Sequence, residues 1–107
     1  MAQEVSKTRS IPASEIGGPG TADPGACASC AIAVLGEMAG EDMRMTSLEM
    51  DVTSNPVGEQ GVAITVQIDK RARSIVFASM DARSGGQLVF RAQGLFSRAG
   101  RTSPAAE

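Results

Sequence analysis

Histidine, tryptophan and tyrosine are absent from this chain of 107 residues, and phenylalanine occurs only three times. Without histidine there can be no histidine-based triad, histidine general base or histidine metal ligand. Without aromatic platforms the chain is poorly equipped to stack nucleic-acid bases. The net charge of −2 also lacks the basic excess that is typical of nucleic-acid binders. We therefore expect no nucleic-acid partner.

Long apolar runs are absent as well. No stretch approaches the ~18 apolar residues that a membrane span needs, and the first seven residues lack the apolar core of a secretory signal. We therefore expect no membrane partner and a cytoplasmic location. The hydrophobic fraction of 42% is typical of a globular protein. The length predicts one domain over residues 1–107, with residues 1–3 and 100–107 frayed.

Cysteine occurs twice, as the C-x-x-C pair Cys27 and Cys30. Two thiols without a histidine cannot complete a zinc site within one chain, so we expect no metal. The apolar neighbours Ala28 and Ala31 raise a thiol pKa and make the thiol less reactive. Two small buried side chains are the simpler interpretation, and a redox or metal role is the alternative.

One helix is predicted near the N-terminal third of the chain. Asp23 followed by Pro24 is typical of a helix start, with aspartate as the N-cap and proline in the first helical position. Residues 26–39 are apolar almost all round, which predicts a helix that is enclosed on most sides. Gly40 is a plausible C-cap.

Strands are predicted before and after this helix. Residues 5–11 indicate a short first strand, with Val5, Lys7, Arg9 and Ile11 on one side. Alternating apolar and polar residues then predict strands over residues 44–52, 62–69, 75–81 and 88–96. Residues 70–73 and 84–86 indicate hairpin turns, so we expect the last four strands to form an antiparallel meander.

The combination predicts an α+β domain with one helix wrapped by a curved antiparallel sheet of about five strands. A second, partly apolar surface is expected on the other face of this sheet. Its members by alternation are Met45, Ala63, Val76, Ala78, Val89 and Leu95. Because the core of so small a domain is thin, we expect self-association.

Several segments resemble the hotdog-fold acyl-CoA thioesterases of the phenylacetate-pathway type. They are the helix start at residues 24–26, the strand at 45–52 followed by Pro56-Val57, and the segments 71–77 and 86–96. The resemblance covers residues 24–98. It implies a hotdog fold, a homodimer or homotetramer, and an acyl-thioester site at the dimer interface, where the helix begins. The implied activity is hydrolysis of an acyl-CoA-type thioester, with CoA as part of the substrate and no separate cofactor.

Candidate binding residues follow from this resemblance. Backbone N–H groups at a helix N-terminus can polarise a thioester carbonyl, which assigns that role to Gly25 and Ala26. Ser29 lies one turn further on. Thr46 matches a threonine on the second strand of many relatives, with packing against the helix as the simpler interpretation. For the CoA phosphates, Lys70, Arg71 and Arg73 are the best-placed cations, with a solvated hairpin as the alternative.

The sequence departs from the resembled pattern at two positions. The family usually begins its helix with His-Gly-Gly, whereas this chain has Pro24-Gly25-Ala26. The family also carries an acidic residue about two turns into the helix, and Ala33 occupies that position here. Two carboxylates, Glu37 and Asp23, are therefore the candidate catalytic groups, with a solvated helix position and N-capping as their simpler interpretations. A non-catalytic module that binds a thioester or only dimerises is the alternative function.

Overall fold

The computed structural model describes residues 6–98, which form one α-helix and five β-strands. Their bounds are β1 Ser6–Ile11, α1 Pro24–Ala39, β2 Met43–Val52, β3 Val62–Arg71, β4 Ile75–Ser84 and β5 Gln87–Arg98. The predicted elements are all present, and a 3₁₀ turn at Ala13–Ile16 was not predicted. The prediction that residues 1–3 and 100–107 are frayed, and the placement of Val5 in the first strand, lie outside the described residues.

The five strands form one antiparallel sheet in the order β1-β3-β4-β5-β2. Both predicted hairpins, β3–β4 and β4–β5, are confirmed. The predicted meander is wrong at its first step, because β2 pairs with β5 and not with β3. The connection after β2 is held against β5, since Thr53 Oγ1 and Asn55 Nδ2 donate to the carbonyl of Leu88 at 2.7 and 2.8 Å. The chain then crosses to β3 on the other side of the hairpins.

The core lies between α1 and one face of the sheet. Its largest fully buried side chains include Leu35 on α1 and Ile64, Phe90 and Phe96 on the strands. Burying each such side chain stabilises the fold by about 1.5–3 kcal/mol, which makes this contact the main source of stability. The predicted α+β class, with one helix packed on a five-stranded antiparallel sheet, is confirmed.

Only one side of α1 is covered. The residues that face the sheet are Cys27, Ala31, Val34, Leu35 and Ala39. On the opposite flank Ile32 is 50% exposed and Ala33 is exposed. The expectation of a helix enclosed on most sides is therefore wrong for the single chain, because a single sheet contacts a helix from one side only. Within residues 6–98, no helix has the length and apolar character that crossing a membrane requires.

A β-bulge changes the alternation in β2. The pairing of β2 with β5 shifts between Met45 and Ser47. Met43 and Met45 therefore pack against the core on the same face as Leu48. The sequence placed Met45 on the opposite surface, which is wrong because the extra residue of the bulge reverses the phase of the strand.

The outer face of the sheet differs from its predicted composition. Val76, Ala78 and Val89 were expected there, but all three are fully buried. In β4, Val76 is the first residue that faces the core, and the inward positions alternate from there. The pairing of β4 with β5 shifts between Ala82 and Arg83, so Val89 has no paired residue on β4. Ala63 is exposed as expected. Leu95 lines a depression of the outer face, together with Phe77.

Candidate functional site

The candidate site begins where α1 starts. The side chain of Asp23 accepts a hydrogen bond from the amide of Ala26 at 2.8 Å, and its carbonyl accepts one from the amide of Cys27 at 2.9 Å. Pro24 carries no N–H. The N–H of Gly25, in the same turn, has no acceptor within residues 6–98. The predicted N-cap and first-turn proline are confirmed, and one backbone donor points out of the helix end.

The loop before α1 fixes this helix end. The amide of Asp23 donates to the carbonyl of Ile16 at 2.8 Å, and Ile16 is fully buried. Gly17 has a φ of +89°, and a Cβ on it would lie 2.6 Å from the Cβ of Asp23. Glycine is therefore required where the loop passes the helix cap. These backbone contacts fix the positions of the Asp23 carboxylate and of the free Gly25 amide.

A mainly apolar flank of α1 extends from this end. It consists of Ser29, Ile32 and Ala33, all of which are exposed. Ser29 is thus placed one turn after Gly25 on an accessible surface. At Ala33, where the resemblance puts an acidic residue, only a methyl group is available. This flank can contact an acyl group or another apolar surface, but it offers no base or nucleophile at Ala33.

The two candidate carboxylates do not lie together. Asp23 caps the start of α1, whereas Glu37 follows Gly25 by twelve residues, or about 18 Å along the helix axis at 1.5 Å per residue. The side chain of Glu37 accepts a hydrogen bond from Arg9 on β1 at 2.7 Å. Both groups are exposed, so this ion pair adds little stability. Within one chain, Asp23 is the carboxylate next to the free amide of Gly25.

The predicted basic residues lie near the other end of the helix. Arg71 donates to the carbonyls of Ala39 and Met38, each at 3.4 Å, and so supplies partners to the C-terminus of α1. Lys70 and Arg73 are exposed beside it. One chain therefore does not bring these three cations to Gly25, which lies about 21 Å away along the helix axis.

Thr46 lies in the β-bulge of β2 and is exposed. Its Oγ1 donates to the carbonyl of Leu95 at 3.2 Å. This hydrogen bond joins β2 to β5 at the position where the bulge interrupts their backbone pairing. Thr46 is on the sheet and does not contact α1 through this hydroxyl.

Both cysteines are free thiols. Burial raises the pKa of Cys27 to about 11, and the nearby Cys30 and Asp23 act in the same direction. Burial also raises the pKa of Cys30, as does Glu15, while Arg9 opposes them. Because both thiols stay protonated near neutral pH, the inert interpretation is favoured over a redox role. In the described part of the chain, no three acidic or cysteine side chains are grouped to hold a metal ion.

Two features escaped the sequence interpretation. The first is the contact of Arg71 with the end of α1, which depends on the sheet bringing the β3–β4 turn under the helix. The second is a pair of depressions on the outer face of the sheet, with volumes of about 330 and 480 Å³. Phe77 and Leu95 line the smaller one. Val76 and Phe77 alternate along β4, but alternation alone does not show which of them faces outwards, and Val76 was the one expected there.

No family model and no curated protein matches the sequence. Solved structures are similar in fold. The Escherichia coli PaaI protein from the phenylacetic acid degradation operon has a TM-score of 0.65 and 17% identity, over 92% of this chain and 75% of PaaI. A hypothetical thioesterase from Streptococcus pneumoniae, solved with coenzyme A, has a TM-score of 0.66 and 17% identity, over 94% of this chain and 81% of its own.

The protein smu.793 from Streptococcus mutans, solved with acetyl-CoA, also resembles the chain. Its TM-score is 0.66 at 14% identity, over 94% of this chain and 84% of its own. At such identities the similarity concerns the fold alone. The neighbours include hotdog thioesterase-superfamily proteins, so the expected resemblance is confirmed at the level of the fold. The chain has a hotdog fold.

Proposed function

We propose that the protein binds an acyl-CoA-type thioester at the N-terminal end of α1, in a pocket formed between two copies of the chain. The observation that carries this proposal is the free N–H of Gly25, which lies beside the exposed apolar flank at Ile32 and Ala33. An N–H at a helix N-terminus attracts the oxygen of a polarised carbonyl. The adjacent apolar flank suits an acyl chain.

The second copy is part of the proposal because one chain supplies only one wall. Ile32 is half exposed, and among residues 6–98 no further strand pairs with the outer edge of β2. Association along this side would cover the flank of α1 and the open edge together. The second copy would also bring another set of side chains to the Gly25 end, including cations that one chain holds elsewhere.

Two of the structural neighbours support the choice of ligand, since they were solved with coenzyme A and with acetyl-CoA. The proposed ligand for this chain shares that chemistry, a thioester with an anionic CoA tail. Lys70, Arg71 and Arg73 remain the candidate partners of the phosphates, and they reach this site only if they come from the second copy.

Binding without rapid hydrolysis is the activity that the geometry supports best. Ala33 provides no acidic group, the chain has no histidine to activate Ser29, and the Asp23 carboxylate is engaged with the amide of Ala26. A helix end with one free donor also gives an oxyanion less stabilisation than two donors would.

Hydrolysis is the second candidate, and the position of Asp23 favours it. Asp23 is exposed and lies two residues before the free amide of Gly25. From there its carboxylate can accept a proton from an attacking water if the hydrogen bond to Ala26 opens. Glu37 fills this role only if the second copy brings it to the Gly25 end.

Calorimetric titration with acetyl-CoA, with longer acyl-CoAs and with free CoA tests the proposal. We expect at least one thioester to bind and no more than slow release of CoA in a thiol-detection assay. Gly25→Pro removes the free N–H, and Gly25→Ala keeps it as the matched control. Because proline is tolerated in the first helical turn, we expect about tenfold weaker binding for the proline variant alone, with unfolding temperatures recorded for both.

Two further variants separate binding from hydrolysis. Asp23→Asn keeps the helix cap but removes the base. Glu37→Gln removes the second candidate carboxylate and keeps a side chain of similar size. Steady turnover that is lost only in Asp23→Asn would establish hydrolysis through Asp23. Failure of every acyl-CoA to bind to the wild-type protein would leave only the role of a dimerising scaffold and would overturn the proposal.

A further inference from the structure

The smaller depression on the outer face of the sheet has an apolar floor. Its volume of about 330 Å³ is within the range of pockets that bind small molecules. Phe77 on β4 and Leu95 on β5 are register partners and form this floor together. Phe77 is 38% exposed, so an aromatic surface remains open to a ligand. This place, called the Phe77 depression below, shares no residue with the proposed thioester site.

Two carboxylates stand on opposite rims of the Phe77 depression. Glu49 belongs to β2 and Asp69 to β3, and both line it. The strand order puts β5 and β4 between them, so their strands are three spacings, or roughly 14 Å, apart. The two carboxylates are therefore not grouped around one point. The floor between them is the pair of Phe77 and Leu95.

A glutamine amide holds each of these carboxylates. Nε2 of Gln93 donates to Glu49 at 2.8 Å, and Nε2 of Gln67 donates to Asp69 at 2.9 Å. Within residues 6–98, neither carboxylate has a lysine or arginine nitrogen within 4.0 Å. Arg91 lines the neighbouring larger depression and not this one. Both negative charges are thus held in position and are available to a cation.

We propose that the Phe77 depression binds a linear alkyl diamine in its doubly protonated form. One ammonium group contacts Glu49 and the other contacts Asp69, each through charge-assisted hydrogen bonds. The methylene chain between them lies on Phe77 and Leu95, and the ring of Phe77 also attracts a cation above its face. Because the carboxylates extend towards each other from strands roughly 14 Å apart, a spacer of about four to six carbon atoms fits the gap.

Other small ligands fit the Phe77 depression less well. Ca²⁺ and Mg²⁺ collect several oxygen ligands at about 2.0–2.6 Å around one centre, and in the described part of the chain no three acidic or cysteine side chains are grouped in this way. A monoamine engages only one of the two carboxylates. An anion is repelled by Glu49 and by Asp69. The separation of the two charges by an apolar floor therefore favours an extended dication.

Calorimetric titration of the wild-type protein with α,ω-diamines of increasing length tests the proposal. At low salt concentration we expect α,ω-diaminobutane or α,ω-diaminohexane to bind at least about tenfold more tightly than butylamine, which carries one ammonium group. Mg²⁺ is the matched control, since it carries the same charge as a diamine without a spacer. No measurable binding of any diamine, or equal affinity for the diamines, butylamine and Mg²⁺, would overturn the proposal.

Four variants at exposed positions locate the binding. Glu49→Gln and Asp69→Asn each remove one carboxylate and keep the shape of the side chain, and we expect each to bind the diamine about tenfold more weakly. Glu59→Gln removes an equal charge from the loop between β2 and β3 and should change nothing. Phe77→Ser removes the floor and should abolish the preference for one spacer length.

Acetyl-CoA titrated into the same variants separates this site from the proposed thioester site. Its binding should be the same in Glu49→Gln, Asp69→Asn and the wild-type protein, whatever its strength. A diamine affinity that is unchanged in both carboxylate variants, or that falls equally in Glu59→Gln, would show that the diamine binds elsewhere or only through the net charge, and the assignment to the Phe77 depression would be wrong.

Discussion

The methyl group of Met45 on β2 lies over Gly94 on β5, where a Cβ would be only 3.1 Å from it. The same position is 3.1 Å from a ring carbon of Phe96 and 3.4 Å from a methyl of Leu35 on α1. Because Gly94 has no side chain, the helix, the β2 bulge and the last strand can meet in one closely packed layer.

Gly94→Ala should therefore destabilise the protein by about 1–3 kcal/mol, since the added methyl overfills this layer. Urea unfolding followed by circular dichroism measures the change. Gly36→Ala is the matched control, because a Cβ there meets no atom within 4 Å. That helical substitution should stabilise the protein by up to about 1 kcal/mol. Equal effects of the two substitutions would contradict the packing described for Gly94.

Removing the cap of α1 should weaken the fold without changing the sheet. Asp23→Ala deletes the acceptor for the amide of Ala26, and we expect a loss of about 1 kcal/mol in the free energy of unfolding. Asp23→Asn keeps an acceptor oxygen and should lose only a few tenths of that amount. Chemical denaturation of both variants at neutral pH checks the order, and a larger loss for asparagine than for alanine would be inconsistent with capping.

Stability should fall as the pH rises from about 9 to about 11. The pKa of Cys27 is raised to about 11 in the folded protein, so the folded state holds a proton that the unfolded state releases from about pH 9. The stabilisation is complete below the unfolded pKa and disappears as the pH passes the folded value. Burial raises the pKa of Cys30 in the same direction and adds to the effect.

The free energy of unfolding, measured across this alkaline range, should decline less steeply in Cys27→Ala than in the wild-type protein. The slope is the useful quantity, because the substitution also changes the core. Thiol labelling at pH 8 gives a second measurement, with slow reaction of Cys27 in the folded protein and fast reaction in urea. A steep slope retained in the variant would show that other groups cause the loss.

Arg71 should act mainly on the end of α1. Arg71→Gln removes the guanidinium that donates to the carbonyls of Ala39 and Met38, and we expect a loss below about 1 kcal/mol. Arg73→Gln, on the exposed turn, is the control and should leave the stability unchanged. If Arg71→Gln instead weakens acetyl-CoA binding with no change in unfolding, the residue belongs to the phosphate site of a second copy.

The regular elements were predictable because local patterns encode them. Asp23 and Pro24 marked the helix start, and the alternation from Val62 to Ile68 marked a central strand. The pairing of β2 with β5 was not predictable in this way. Nine residues separate β2 from β3, and a connection of this length allows β2 to pair with a strand other than β3. The bulge at Met45 was also missed, because it changes the phase of a strand only when that strand is paired.

The candidate site shows the same division. The resemblance assigned the donor role to both Gly25 and Ala26, and the absence of histidine limited the chemistry. Only the structure showed that the N–H of Ala26 already donates to Asp23, which leaves the N–H of Gly25 as the donor. Only the structure showed that Glu37 pairs with Arg9, that Arg71 lies at the far end of α1, and that Phe77 is exposed on the outer face. The sequence by itself determined the helix and the strands, since these depend on neighbours along the chain. The tertiary structure decided which charges meet and which apolar surfaces stay open, because those contacts join residues far apart in the chain.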